Sequence, residues 1–221
     1  SRGLGDVYKR QHINFIHPEV GKSAVKILEA AGYEVEIADR KCCGRTMISK
    51  GLLDEAKKNV DFNTDLLYKY VEQGIKIVGV EASCMSSMQD EFPDLATDKS
   101  KAKQISENTF TVQDLLMQIN DDGKQQINWN ATAKNLLLFV HCHERALDGT
   151  SNSLGSLNLP NKFNANLIDA GCCGMAGSFG MEKEHYDISK KMAEDRLLPA
   201  INNSSTEEET VSYTHLRAHE T

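Results

Sequence analysis

The sequence predicts an α/β fold of two repeated units, each built on a short parallel sheet. Short β-branched runs alternate with amphipathic helical stretches of about ten or more residues, a pattern typical of βαβ units. A Cys-Cys-Gly sequence occurs twice, at Cys42 and at Cys172, 130 residues apart and each time shortly after a predicted strand. Because one unit used twice explains this best, we expect two pseudo-repeated Rossmann-like units with cysteines in loops at strand C-terminal ends.

Hydrophobic periodicity predicts the individual elements. Strands are predicted over residues 33–38, 75–80, 136–140 and 165–169. Helices are predicted over residues 18–31, 52–72, 111–118 and 185–201. Pro18 suits the first turn of its helix and Gly32 suits its C-terminal stop. Thr111 and Asp114 form a capping-box pattern at the start of the third helix.

The chain divides at a polar stretch rich in Asn, Gln and Asp, which we interpret as a linker over residues 121–134. The two ends lack periodicity that continues their neighbours, and they resemble translated sequencing-adapter peptides at the ends of gene fragments. We therefore expect five segments: a non-native end at 1–11, an N-terminally truncated domain at 12–120, the linker at 121–134, a C-terminally truncated domain at 135–206 and a non-native tail at 207–221.

The composition narrows the class of protein. The chain has 221 residues, 40% of them hydrophobic, and a net charge of −7, which argues against nucleic acid as a partner. The longest apolar run is far shorter than a membrane span, and no signal peptide is visible. We expect a cytoplasmic protein, peripheral at most to the inner face of the cell membrane. In a reducing compartment, the six cysteines favour metal binding or redox chemistry over disulfides.

All the cysteines follow predicted strands: Cys42, Cys43, Cys84, Cys142, Cys172 and Cys173. The carboxyl edge of a parallel sheet is where ligands bind, and soft thiolates select iron–sulfur clusters, zinc or copper(I). Adjacent cysteines do not have zinc-ribbon spacing, but they can bind different irons of one cluster. Gly44 and Gly174 would let the backbone approach such a cluster closely. The alternative is that these cysteines are buried packing residues.

At these residues the sequence resembles the cysteine-rich CCG domain of iron–sulfur oxidoreductases. That family includes a cysteine-rich component of heterodisulfide reductase and the iron–sulfur components of glycolate oxidase, anaerobic glycerol-3-phosphate dehydrogenase and lactate-utilisation systems. The sequence looks most similar to the C-terminal region of proteins that fuse an FAD-linked oxidase domain to ferredoxin and CCG domains. The resemblance covers about residues 15–201 and includes Cys42-Cys-Gly-Arg45, Glu81-Ala-Ser-Cys84, His141-Cys-His143 and the stretch 169–180.

The resemblance implies 4Fe–4S clusters at the cysteines, with zinc as the alternative at one site. It also implies FAD on a partner domain or subunit, a ferredoxin-type 4Fe–4S partner domain, and a quinone or membrane-associated acceptor. In the second half, Cys142, Cys172 and Cys173 are expected to share one cluster. The first half departs from the family pattern, because no cysteine lies near Gln11 and Ser87 stands where the last cysteine is expected.

Three further residues are candidates for contact with the cofactor. His141 and His143 flank Cys142, and either could donate a hydrogen bond to a cluster or ligate it. The alternative is that His141 ends a strand and satisfies a backbone carbonyl. Arg45 could neutralise a cluster or pair with a carboxylate substrate, and the alternative is a surface arginine.

We therefore expect an iron–sulfur electron-transfer module of an FAD-linked oxidoreductase of the 2-hydroxy acid, glycolate or lactate type. It would pass electrons from flavin to a quinone or another acceptor, and it would not be active on its own. The alternatives are a zinc-binding docking module of a redox complex, disulfide reduction of the heterodisulfide reductase type, and thiol–disulfide exchange by the adjacent cysteines.

Overall fold

The computed structural model describes residues 2–5, 18–123, 127–129, 132–176, 179–204 and 208–212. The chain forms two compact units, Ser1–Asn128 and Trp129–Thr221. Each contains a parallel sheet with helices packed against it, which confirms the predicted α/β fold. The domain limits given above stay predictions. Within the described residues, no helix has the length and apolar character needed to cross a membrane.

The first unit has a four-stranded parallel sheet in the order β2-β1-β3-β4. Its elements are β1 (Arg2–Gly5), α1 (Pro18–Ala30), β2 (Tyr33–Glu36), α2 (Arg45–Ser49), α3 (Leu53–Val71), β3 (Lys76–Gly79), α4 (Ala82–Ser86), a π-helical turn (Ser87–Glu91), α5 (Phe92–Leu95), α6 (Lys99–Glu107), β4 (Thr109–Thr111) and α7 (Val112–Asp121). The predicted helices and strands of this half are present within a few residues of their expected bounds. The capping box is confirmed, because Asp114 N donates to Thr111 Oγ1 at 3.1 Å and Thr111 N donates to Asp114 Oδ2 at 2.8 Å.

The core of the first unit lies where α3, α5 and α6 pack together and against β3. Leu67, Ile77, Phe92 and Ile105 are fully buried there, and each contributes about 1.5–3 kcal/mol by leaving water. Cys43 and Cys84 belong to the same buried cluster. The core therefore holds two of the candidate thiols in apolar surroundings.

The second unit has a three-stranded parallel sheet in the order β6-β5-β7. Its elements are β5 (Lys134–Phe139), α8 (Cys142–Leu147), α9 (Ser151–Leu157), β6 (Phe163–Leu167), two 3-10 turns (Phe179–Met181 and Lys183–His185), α10 (Tyr186–Asp195), α11 (Leu197–Asn202) and β7 (Glu208–Ser212). The strand expected over residues 165–169 begins two residues earlier than predicted, where Lys134 pairs with Phe163.

The prediction of one continuous helix over residues 185–201 is wrong. The chain breaks between α10 and α11 at Arg196, whose φ of −140° lies outside the helical range. Pro199 explains the break, because it has no amide hydrogen to donate to the carbonyl of Asp195. Proline is tolerated in the first turn of a new helix, and α11 begins two residues before it.

Two strands lie in the end segments, where no periodic pattern was predicted. β1 pairs with β2 and β3, and β7 pairs with β5. Parallel pairing uses main-chain groups, so it needs no hydrophobic pattern in the sequence. For the same reason, the pairing does not test whether the two end segments are native to this protein. Residues 1, 6–11, 207 and 213–221 of the predicted ends lie outside the described residues, as do residues 15–17 and 177–178 of the family resemblance.

Candidate metal centre

The first Cys-Cys-Gly turn follows β2 and leads into α2. Gly44 has a φ of +88°, a left-handed conformation that glycine adopts without steric cost. This conformation directs two consecutive backbone amides at the preceding thiols. Gly44 N lies 3.5 Å from Cys42 Sγ, and Arg45 N lies 3.4 Å from Cys43 Sγ. The turn therefore supplies each of its two sulfurs with a backbone hydrogen-bond donor.

The second turn, after β6, repeats this geometry. Gly174 has a φ of +86°, Gly174 N lies 3.3 Å from Cys172 Sγ, and Met175 N lies 3.5 Å from Cys173 Sγ. β6 begins 130 residues after β2, which equals the separation of the two turns. Backbone amides that donate to sulfur stabilise thiolates and tune iron–sulfur clusters. Both units thus present the same pair of amide-supported sulfurs at the same strand end.

The second turn is held tightly by the helix beneath it. A Cβ atom added at Gly174 would overlap the main chain of Ser189 on α10, whereas one added at Gly171 would have nothing within 4 Å. At Gly44 the nearest atom to an added Cβ is Ala56 Cβ at 3.4 Å, which is ordinary contact. Glycine is therefore required by both conformation and packing at Gly174, and by conformation at Gly44.

Three thiols of the second unit lie close enough to influence one another. Burial raises the pKa of the Cys173 thiol to about 11, and the nearby Cys172 and Cys142 add to this rise. Burial and Cys172 likewise raise the pKa of the Cys142 thiol. A pair of thiols that interact as like charges must be near neighbours. Cys142 follows β5 and Cys172 and Cys173 follow its parallel neighbour β6, so the three thiols lie beyond the same edge of the sheet. That they share one cluster stays a prediction.

A metal or cluster would suit the donor chemistry of this set. Three thiols follow the parallel neighbours β5 and β6, and two of them already accept hydrogen bonds from backbone amides. Metal binding would also remove the protons that burial otherwise retains on Cys142 and Cys173. Among the described residues, no three His, Cys, Asp or Glu side chains already stand in metal-holding geometry. The assignment of a metal or cluster to this site thus rests on the chemistry of the three thiols and not on a preformed coordination geometry.

The third cysteine of the first unit, like Cys142, lies on a helix that follows a strand, but it is more buried. Cys84 lies on α4 after β3, fully buried like Cys43, whereas Cys42 is only partly buried. Ser87, one helical turn after Cys84, is also fully buried, and its Oγ finds no hydrogen-bond partner within the described ranges. The position near Gln11, where the resemblance predicts an opening cysteine, lies outside the described residues.

Arg45 lies against the cysteine-bearing helix of the first unit. Its guanidinium forms a two-pronged ion pair with Glu91, with Nη2 to Oε2 at 2.8 Å, and its Nε donates to the carbonyl of Ser83 at 3.3 Å. The two side chains are 12% and 21% exposed. Arg45 therefore pairs with a carboxylate of its own chain, and it joins the Cys-Cys-Gly turn to the segment that carries Cys84. Any contact with a cofactor stays a prediction.

The histidines flank Cys142 at the start of α8. His141 is buried and caps the helix, because its Nδ1 accepts a hydrogen bond from His143 N at 3.1 Å. The two rings meet edge to face with centroids 5.3 Å apart. Since Nδ1 accepts, the neutral ring carries its proton on Nε2. His141 thus bonds a backbone amide, whereas its expected structural role was to satisfy a backbone carbonyl.

Sequence reasoning missed Arg145, which lies three residues after Cys142 on α8. Its Nη1 donates to the carbonyl of Ala170 and lies 3.5 Å from the carbonyl of Gly171. Its charge lowers the pKa of the Cys142 thiol, opposing the larger effects of burial and of Cys172. The signal that could have revealed it is a lone basic residue one helical turn after a candidate ligand.

The Cys172 thiol opens onto a groove of about 410 Å³ along α10. Its lining consists of Gly171, Cys172, Ile188, Lys191, Met192 and Asp195. Ile188 and Met192 present apolar surface there, with 55% and 41% of their surface exposed. One edge of the three-thiol site is therefore reachable from solvent.

Known proteins match the chain over both cysteine motifs. The family profile of the CCG cysteine-rich domain matches residues 8–89 and 136–209. The chain is 28% identical over 181 residues to one component of the anaerobic glycerol-3-phosphate dehydrogenase of Escherichia coli K12, covering 80% of this chain and 45% of that protein. The chain thus spans less than half the length of that relative.

Two further relatives are more distant in sequence. Lactate utilization protein A of Bacillus subtilis is 25% identical over 84% of this chain and 77% of its own length. D-2-hydroxyglutarate dehydrogenase of Pantoea ananatis is 24% identical over 80% of this chain but only 17% of its own length. The profile matches well over half of the chain, in two segments that each contain a Cys-Cys-Gly turn. The chain belongs to the CCG cysteine-rich domain family.

Proposed function

We propose that this chain is an iron–sulfur electron-transfer module of a flavin-linked oxidoreductase. The observation that carries the proposal is the second Cys-Cys-Gly turn, where Gly174 N and Met175 N donate to Cys172 Sγ and Cys173 Sγ. Cys142 follows β5, the parallel neighbour of the strand before this turn. Soft thiolates in such a set select iron–sulfur clusters, and amide donors to sulfur are characteristic of their sites. The names of two relatives, each a dehydrogenase or a component of one, support an oxidoreductase context.

The residues of the second unit have distinct roles toward a 4Fe–4S cluster. The three thiolates hold it, and the amides of Gly174 and Met175 donate to two of the sulfurs. The cluster, when bound, supplies reversible one-electron transfer. His141 orients the start of α8, because its Nδ1 accepts a hydrogen bond from His143 N. His143 lies beside it, with the two rings edge to face.

The flavin and the acceptor belong to other domains or subunits in this proposal. FAD would oxidise a 2-hydroxy acid or a related alcohol, and a ferredoxin-type domain would relay the electrons to this chain. The names of the relatives, which mention glycerol-3-phosphate, D-2-hydroxyglutarate and lactate, support substrates that carry a hydroxyl group beside an anionic group. The open groove at Cys172 supports electron exit on that side of the second unit. The acceptor in this proposal is a quinone or another acceptor at the inner face of the membrane.

A zinc ion is a second candidate for the first unit alone. The burial of Cys43 and Cys84 within the apolar core favours a structural role, because a redox centre exchanges electrons best near a surface. Zinc has no redox chemistry and binds thiolates in closed structural sites. In this interpretation the first unit would dock redox partners, while the second unit would transfer electrons.

The experiment compares two matched variants, Cys172→Ser and Cys42→Ser, expressed anaerobically. Each replaces the first cysteine of a Cys-Cys-Gly turn with the same geometry. Iron, acid-labile sulfide and zinc are then measured per chain. Cys172→Ser is expected to lose the iron and sulfide, and Cys42→Ser is expected to retain them. Full iron and sulfide in Cys172→Ser would overturn the proposal, and loss of zinc in Cys42→Ser would identify the metal of the first unit.

A further inference from the structure

Arg145 joins two segments of the second unit that each carry a candidate ligand. It projects from α8, which begins at Cys142, and its guanidinium donates to the carbonyl of Ala170 and approaches that of Gly171. Those carbonyls immediately precede Cys172. The side chain therefore ties the helix that starts at one thiol to the loop that carries the next, over a separation of 25 residues.

The guanidinium also brings a permanent positive charge to the thiols. Arginine stays protonated in proteins, and in the part of the chain that the structure describes no carboxylate forms an ion pair with Arg145. Its charge acts on Cys142 through space. By contrast, Arg196 in the same unit is 59% exposed and pairs with Asp169 and Asp195, at 3.5 Å and 3.7 Å.

We propose that Arg145 is a positioning residue that holds Cys142 and Cys172 at one site and raises the reduction potential of the cluster bound there. The inference rests on the proposed function. An electron added to a thiolate-bound cluster increases its negative charge, and a nearby fixed cation stabilises that reduced form. Because the guanidinium donates to the main-chain carbonyls that precede Cys172, its charge stays close to the thiols.

The test compares Arg145→Gln, Arg145→Lys and the control Arg196→Gln in the full chain, loaded anaerobically with iron and sulfide. The midpoint potential is measured by redox titration followed by EPR, and iron per chain is measured on the same samples. Arg145→Gln is expected to have a more negative midpoint potential and a lower iron content. Arg145→Lys keeps the charge and is expected to restore most of the potential. Arg196→Gln is expected to match the wild type, because solvent screens its exposed charge.

The outcomes distinguish an effect of the Arg145 charge on the reduction potential from structural support of the loop that carries Cys172. If Arg145 only supports the loop, Arg145→Gln will bind less iron, but the cluster that does form will have the wild-type potential, and the inference is overturned. An equal shift in Arg196→Gln also overturns it, since the effect would then be one of net charge. A wild-type chain that takes up no iron overturns the proposed function, and the inference falls with it. A loaded wild type with equal potentials in all variants overturns the inference alone.

Discussion

Arg45 and Glu91, 46 residues apart in sequence, form a two-pronged ion pair that joins the first Cys-Cys-Gly turn to the Cys84 segment. The pair is partly buried, and Arg45 also donates to Ser83 and Ser86. Charge-assisted bidentate pairs of this kind are both strong and directional. The contact therefore determines how one candidate thiol of the first unit is positioned relative to another.

Replacing Glu91 with Gln is expected to destabilise the first unit by about 2 kcal/mol, because it leaves the partly buried guanidinium of Arg45 without its counter-charge. The measurement is the free energy of unfolding in urea. The matched control is Glu107→Gln, because Glu107 is 59% exposed and pairs with Lys103 at only 3.9 Å. The control is expected to change little. Equal losses in the two variants would contradict a structural role for the Arg45–Glu91 pair.

Replacing Gly174 with Ala is expected to cost at least about 2 kcal/mol, because the left-handed conformation disfavours a Cβ and Ser189 occupies its space. Gly171→Ala is the control in the same loop, since an added Cβ there meets nothing within 4 Å. We expect the control to unfold like the wild type in urea. If the Gly174→Ala chain were as stable as the wild type and took up as much iron, the close approach of Ser189 on α10 to Gly174 would be contradicted.

Asp61 is expected to make stability depend on pH. Burial tends to raise its pKa, but hydrogen bonds from Thr97 and Lys57, together with the Lys57 charge, lower it below the ordinary value of 3.8. Thr97 N donates to its carboxylate at 2.7 Å. A lowered folded-state pKa adds stability above the unfolded-state pKa, and this stability is lost as the pH falls through the folded-state value.

Asp61→Asn should therefore cost about 0.5–1 kcal/mol at neutral pH, a value reduced by solvent screening of this partly exposed carboxylate. The difference from the wild type should shrink as the pH falls below the ordinary carboxyl value of 3.8 and through the lowered folded-state pKa. Urea unfolding at neutral and at acidic pH measures it. Asp65→Asn is the control, since Asp65 is 74% exposed. A difference that stays constant with pH would count against the lowered pKa.

The two adjacent thiols of the second turn should react at different rates in the metal-free chain. Burial raises the pKa of Cys173 to about 11, so Cys173 is protonated near neutral pH. Cys172 is partly exposed and lines the groove on α10. Iodoacetamide should modify Cys172 at least about tenfold faster, because the thiolate is the nucleophile. Peptide fragmentation by mass spectrometry distinguishes the two sites, and equal rates would argue against the burial of Cys173.

Local signals in the sequence were enough to predict much of the fold. The capping box of Thr111 and Asp114 involves residues three positions apart. In the strand before the first Cys-Cys-Gly turn, Tyr33 and Val35 alternate with glutamates. The placement of Cys142 and of Cys172 and Cys173 after two parallel neighbouring strands could also be predicted, whereas a shared cluster stays a prediction. Pro199 was a local signal for the break after α10, although the helix prediction ran through it.

The remaining features depend on contacts between distant residues. The Arg45–Glu91 pair and the Arg145–Ala170 hydrogen bond join positions 46 and 25 residues apart, and neither leaves a periodic trace in sequence. β1 and β7 pair through main-chain groups, so the sequences of these two segments have no alternating hydrophobic pattern from which a strand could be predicted. The buried Ser87 hydroxyl is likewise visible only once α4 and the π-helical turn are in place.

The most direct test of the account is metal analysis and EPR of the wild-type chain, loaded anaerobically with iron and sulfide and then reduced with dithionite. We expect iron and acid-labile sulfide in equal amounts, a visible absorbance that bleaches on reduction, and an EPR signal from a reduced cluster. Zinc alone, or iron without sulfide and without a cluster signal, would contradict the claim that Cys142, Cys172 and Cys173 hold an iron–sulfur cluster.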